Sequence, residues 1–242
     1  MSVLLMCLSD PSGDPRPNRV IQLLNQDNIT IDILSYQPKK KLSVRKNLLI
    51  PFPRKGLISR IFNLVFSLSL FIYFKVTNDL KALENSNNLR HDLFIRESDL
   101  AEEDYDLIIV EDLQLLPLAF AINKKTKVFF DAREYYPEQN VESWVFRLID
   151  SPLRDCLCRV YLPKCDQIIT VSPGFAEAFL DNYGVDMDVI RSTPNYMDLK
   201  TKPTVKKRIR MVHHGVANIN RGIGNMIEIV KIISKNLPDD FM

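Results

Sequence analysis

Six short runs along the chain are rich in strand-forming residues, most of them apolar at successive positions: SVLLMCL (2–8), TIDILSY (30–36), DLIIVE (106–111), KVFFD (127–131), DQIITV (166–171) and MDVIR (187–191). Successive rather than alternating apolar residues mark strands covered on both faces, as in a parallel sheet with helices above and below. Between these runs the apolar spacing is helical and predicts helices over 16–26, 57–83, 112–122, 141–162 and 173–183. The alternation predicts an α/β fold built on a doubly wound, parallel, Rossmann-like sheet. The last helix has the clearest bounds. Ser172 is placed to cap its first amides, Pro173 sits where a missing N–H costs nothing, and Gly184 follows the apolar positions Phe175, Phe179 and Leu180.

The rhythm breaks at NYMDLKTKPTVKKRI (195–209), a polar stretch with Pro203 and four lysines that reads as a linker. IRMVHHG and NRGIGNMIEIVKIISKNL then begin a new strand–loop–helix unit. The expected organisation is one Rossmann-like domain over 1–200, followed by a linker and the opening unit of a truncated second domain over 201–242.

At 46% apolar and 26% charged residues, the 242-residue chain suits a soluble globular protein. Its 32 basic and 30 acidic side chains leave a net charge of +2, which gives no reason to expect nucleic acid as a partner. Cys7, Cys156, Cys158 and Cys165 lack paired C-x-x-C spacing, and Cys7 falls inside an apolar run, so a reducing compartment is expected. Met1 is followed by neither a basic n-region nor a small-residue cleavage site, which points to the cytoplasm. There is no G-x-G-x-x-G fingerprint and no P-loop lysine pattern. His91 stands alone in the charged stretch 89–106, read as a solvated surface, and no metal site is expected.

In sheets of this kind, ligands gather outside the carboxyl ends of the strands, where helix N-termini also point. Candidate site residues are therefore Ser9 to Gly13, with Ser12 and Gly13 foremost, then Glu111 and Asp112, Asp131 to Tyr136, and Ser172. Any one of them is equally well a charge at an exposed strand end, and a proline-stiffened turn accounts for 9–13; taken together the set points to a site.

From Ile61 to Phe74 the chain is apolar except at Asn63, Ser67 and Ser69, a run of fourteen residues. Crossing a bilayer takes about twenty. Lys39, Lys40, Lys41, Arg45, Lys46, Arg54, Lys55 and Arg60 precede or enter the run. A buried core helix explains the hydrophobicity but not the flanking charge, so peripheral contact of 39–74 with an anionic membrane face is expected.

Three segments, FFDAREYYPEQ, CDQIITVSPGFAEAFLDNYGV with VIRSTPNY, and IRMVHHGVANINRGIGNMIEIV, together resemble glycosyltransferase family 4 proteins of the two-Rossmann-domain GT-B architecture. The resemblance spans roughly residues 100–242; earlier it is confined to the strand–loop–helix start. It implies transfer of a sugar from a nucleotide-diphosphate sugar, with retention and without an obligatory metal or other cofactor, to a glycan or a lipid-linked acceptor. The N-terminal domain would hold the acceptor and the C-terminal domain the donor. Without a metal, the leaving diphosphate needs cationic side chains, amides and a helix dipole. The resemblance gives this donor-phosphate role to Gly215, Arg221 and Gly222, while Val216 replaces a basic residue usual in the family. His213 and His214 either line the cleft or are ordinary strand-end polar residues.

Arg133 stands where the family carries a histidine, and a permanently charged guanidinium cannot shuttle protons. The resemblance makes Arg133 and Glu134 the catalytic candidates: Arg133 suits a phosphate or acidic acceptor, Glu134 a sugar hydroxyl, and Tyr135 or Tyr136 a sugar face. A structural Arg133–Glu134 pair with core tyrosines is the alternative. Two glutamates that the family places deeper in the second domain would lie past Met242, so negligible transferase activity is expected of this chain alone. A nucleotide-sugar epimerase of the same architecture and a non-catalytic, membrane-associated glycan- or partner-binding module remain open as other function classes.

Overall fold

The computed structural model describes residues 1–51, 56–93, 95, 100, 104–122, 125–193, 196–200, 212–213, 215 and 222–236. The chain divides into two compact units, Met1–Ser192 and Thr193–Met242.

The first unit is organised by one sheet of seven strands: β1 (Ser2–Met6), β2 (Thr30–Ser35), β3 (Lys46–Leu49), β4 (Leu107–Val110), β5 (Lys127–Ala132), β6 (Gln167–Thr170) and β7 (Asp188–Val189). Their order is β3-β2-β1-β4-β5-β6-β7, and every pairing is parallel. This is the doubly wound α/β arrangement that the successive apolar runs predict. Side chains of β1 alternate between two cores. Leu4 and Met6 join the larger one with Ile108, Val110, Phe130, Phe179 and the helices after β3. Val3 and Leu5 join Ile31, Ile33 and Ile109 on the other face, covered by Ile21 of α1 (Pro15–Gln26) and by Leu42 and Val44 of the β2–β3 link. The edge strand β3 has no counterpart among the predicted runs, because KNLL is short and two of its four side chains are exposed.

Three predicted helices are subdivided. The expected helix 57–83 is two, α2 (Leu57–Thr77) and α3 (Leu80–Arg90). Asn78 between them is left-handed with φ 57°, and Asp79 caps α3 by accepting from the Lys81 amide at 3.0 Å. The two helices are pinned together where Ser67 Oγ donates to the Ser86 carbonyl (2.8 Å) and Ser86 Oγ to the Ser67 carbonyl (2.7 Å). The expected helix 112–122 is a 3-10 turn leading into α4 (Leu116–Ile122). The expected helix 141–162 contains a π segment at Phe146–Asp150 before α5 (Ser151–Tyr161). By contrast, α6 (Pro173–Tyr183) has the predicted bounds: Ser172 Oγ accepts from the Phe175 amide at 3.3 Å, and Gly184 closes the helix at φ 66°. The stretch read as a solvated surface places Leu93, Leu100 and Tyr105 in the core instead. Tyr105 donates to the buried Asp32, as does Arg45.

In the second unit α7 (Ile223–Asn236) forms within the predicted strand–loop–helix segment. The strand expected before it falls largely outside the described residues.

Candidate functional site

The chain builds β1 to β3 outward in one direction, then returns to start β4 beside β1. Crossovers on the two sides of that point lie on opposite faces, which opens a crevice at the carboxyl ends of β1 and β4. Most of the candidate residues gather there or one strand further along.

The loop after β1 is folded by Asp10. Its Oδ1 accepts from the Ser12 amide (2.9 Å) and the Ser12 hydroxyl (2.6 Å), and its carbonyl accepts from the amides of Gly13 and Asp14. The Ser12 hydroxyl lowers the Asp10 carboxyl from its ordinary value. Ser12 Oγ also accepts from the Lys40 amide, tying this loop to the one after β2. Gly13 is not forced by its backbone, and an added Cβ would make an ordinary 3.6 Å contact with Asp10.

Asp14 caps α1 through the Arg16 amide (3.2 Å) and also accepts from Arg133 Nη1 (3.0 Å). Arg133, just past β5, donates through Nη2 to Asp112 (3.1 Å), and its Nη1 lies 3.6 Å from Glu111. Asp112 accepts in turn from the Leu8 amide at 2.6 Å. Arg16, in the first turn of α1, forms a two-pronged pair with Asp131 at the end of β5. Two guanidiniums and four carboxylates therefore rivet the ends of β1, β4 and β5 together.

The charges are unequal, and Glu111 bears the consequence. It has no solvent exposure, and neither carboxyl oxygen has a hydrogen-bond partner. Burial pushes its pKa up to about 8; the attraction of Arg133 does not offset burial plus the repulsion of Asp131, Asp112 and Asp14. Glu111 is thus held toward its neutral form. Burial likewise raises Asp131 despite Arg16. Burial works against the charge on Arg133, but the carboxylates of Asp112 and Asp14 outweigh it.

Beside this cluster, a cleft of about 580 Å³ opens between the segment after β5 and the start of α6. Glu134, Tyr135, Glu138, Gln139, Ser172 and Phe175 line it. The Tyr135 ring stands edge-on to Phe179 at 5.0 Å, which fixes it as a wall. Tyr136 is a core residue whose hydroxyl donates to the Glu111 carbonyl. The ion partners of Arg133 are carboxylates from other strand ends, not the adjacent Glu134.

The structure thus places Glu111 and Arg133 in the ion cluster, Glu134, Tyr135 and Ser172 in the cleft, and Ser12 and Gly13 in the loop before α1. In the second unit, Gly215 and Gly222 have φ of 130° and 67°, a region that favours glycine. Arg221 and His214 lie outside the described residues. Sequence reasoning missed Asp14 and Arg16. Both had a signal: Asp before Pro marks a helix start, and an arginine in a first turn opposes the dipole unless an anion answers it.

No family model matches the chain, and no curated protein matches it. Solved structures do. Sucrose-phosphate synthase from Thermosynechococcus elongatus aligns with a TM-score of 0.50 at 15% identity, over 81% of this chain and 49% of that one. The seven-stranded parallel sheet resembles the Rossmann-like domain of GT-B glycosyltransferases. A UGT transferase from Siraitia grosvenorii, solved in complex with UDP, aligns with a TM-score of 0.39 at 8% identity, over 83% of this chain and 49% of that one. This chain spans about half the length of those GT-B chains. The switch-point crevice lies where such a sheet offers a ligand its strand ends and helix N-termini.

Proposed function

We propose that the chain carries the acceptor side and the opening of the donor side of a retaining, metal-independent glycosyltransferase of family 4. The reaction would move a sugar from a nucleotide-diphosphate sugar to a glycan or lipid-linked acceptor. The observation that carries this reading is the cleft at the carboxyl ends of β5 and β6, on a GT-B-like fold, where carboxylate, amide and aromatic groups converge. Sugars present hydroxyls around a weakly apolar face; Glu134 and Gln139 suit the hydroxyls, and the fixed ring of Tyr135 suits the face. Arg133, held by Asp14 and Asp112, braces the segment that carries Glu134 and Tyr135. Glu134 is the acid–base candidate that faces the cleft. On the donor side, the family resemblance gives the diphosphate to Arg221 with Gly215 and Gly222.

Saturation-transfer NMR with a panel of free hexoses and N-acetylhexosamines tests the cleft. Glu134→Gln or Tyr135→Ala is expected to weaken binding about tenfold, the loss of roughly 1.4 kcal/mol. If no sugar gives a signal, or both variants bind as the parent does, the acceptor assignment fails. For the donor side, Arg221→Ala is expected to weaken equilibrium binding of UDP or GDP, and an unchanged dissociation constant removes its role.

A non-catalytic binding module is the second reading, favoured by the enclosure of Arg133 among carboxylates where the family carries a titratable histidine. Sugar binding with no turnover of any nucleotide sugar, even by the chain joined to a complete donor domain, would select it.

A further inference from the structure

α2 is 21 residues long and an 18-residue window of it has mean hydropathy 1.8, yet little of it is buried. Ile58, Ile61, Phe62, Val65, Phe66, Ile72, Tyr73 and Val76 are all exposed. At about 100° per residue these positions fall within one arc about 140° wide, and from first to last they run about 27 Å along the helix. The opposite face is occupied: Phe71 and Phe74 enter the larger core, Ser67 is bonded to α3, and Asn63 donates to Asp92 at 2.6 Å.

That attachment separates two ways of meeting a bilayer. The helix is long and apolar enough to span one, but spanning would strip Phe71, Phe74 and the Ser67–Ser86 pair out of the folded domain. Lying in the plane of the interface leaves the domain intact and covers the whole stripe.

Charge selects the kind of surface. Lys75, with its ammonium 5.6 Å from the ring centroid of Phe71, is directed to the packed side of the helix and is not part of the charged group. Exposed Lys39, Lys40 and Lys41 follow β2, just beyond Tyr36, which lines a 450 Å³ pocket together with Arg60, Ile61 and Leu64 of α2. The lysine run and the first turns of α2 therefore lie at the same end of the sheet. Arg45 is bound to Asp32 and is not part of this group. A second copy of the chain seated on the stripe would bring these cations against their own kind, whereas anionic headgroups answer them.

We propose that α2 docks on an anionic lipid surface, with its exposed apolar stripe at the headgroup–acyl boundary and Lys39, Lys40 and Lys41 against the headgroups. The pocket at Arg60 then opens beside the headgroup layer. The docking does not depend on the proposed sugar transfer.

Flotation of the whole chain with vesicles of phosphatidylcholine alone, or mixed with phosphatidylglycerol, reads it directly. The parent is expected to float with the mixed vesicles, and less so at high salt. Ile61→Glu with Val65→Glu is expected to cut the partition at least about tenfold, and an unchanged Tm shows that the fold is kept because both side chains are exposed. Lys39→Glu with Lys40→Glu and Lys41→Glu is expected to abolish the salt-sensitive part. No flotation with anionic vesicles overturns the proposal, as does flotation of the double variant at the parent's level. It also fails if sedimentation finds a dimer that the double variant dissolves, because the stripe is then covered by a second copy. Sugar binding by the cleft is unaffected by any of these results.

Discussion

Arg133 shows what a single side chain can and cannot reveal from sequence. Its presence was legible as an arginine where the resembled family carries a histidine. Its partners were not, because Asp14 and Asp112 lie 119 and 21 positions away and only the closed sheet brings them to it. The guanidinium, Asp14 and Asp112 each keep only about a fifth of their exposure, so the pairing is largely desolvated. Removing one partner from such a group leaves charge without compensation. Arg133→Met is therefore expected to lower unfolding stability by about 3 kcal/mol in urea denaturation. Arg133→Lys should recover little of that, because an ammonium lacks the planar fork that reaches Asp14 and Asp112 together. Equal stability of the parent and Arg133→Met would show that the cluster does not brace the strand ends.

Elements were legible to the degree that their termini carry backbone chemistry. The bounds of α6 could be read because Ser172, Pro173 and Gly184 each act locally. The break between α2 and α3 was overlooked because neither glycine nor proline marks it; its signal is the polar run Thr77, Asn78 and Asp79, in which Asn78 adopts φ 57° and Asp79 caps the next helix. Asparagine visits that region at modest cost, while a β-branched residue does so badly. Asn78→Val is accordingly expected to cost roughly 1–2 kcal/mol and Asn78→Gly close to nothing, both read by thermal or urea unfolding. Equal losses in the two variants would mean that the Asn78 side chain matters more than its backbone. β3 was illegible for another reason: a four-residue edge strand with half its side chains in water has almost no apolar pattern to read.

For the molecule as a whole, the sheet order and its switch point follow from parallel pairing of runs that the sequence displays, but the electrostatic state of the crevice depends on burial that no sequence window contains. Two groups with opposite shifts, buried Glu111 and half-buried His91, turn this into a measurable profile. Glu111 is raised from 4.5 to about 8, so the folded chain holds a proton there that the unfolded chain has released. Its contribution is fully present below pH 4.5 and is lost as pH rises toward 8. His91, at the end of α3, is lowered from 6.5 to about 3 by burial and by the charges of Arg154 and Arg90. Its contribution is fully present above pH 6.5 and is lost as pH falls toward 3. Between pH 4.5 and 6.5 the two slopes oppose each other; from 6.5 to 8 only the fall due to Glu111 remains, with Asp131 adding to the decline across the range it titrates. Urea midpoints measured across this range should therefore decline above about pH 6.5. Glu111→Gln, which keeps the shape of the neutral acid, should flatten that decline and be more stable than the parent at pH 8. His91→Gln should make the fall begin near pH 4.5, since nothing then opposes Glu111. A parent profile that climbs steadily from pH 6.5 to 8 would mean that Glu111 is ionised in the fold and that Arg133 prevails over burial.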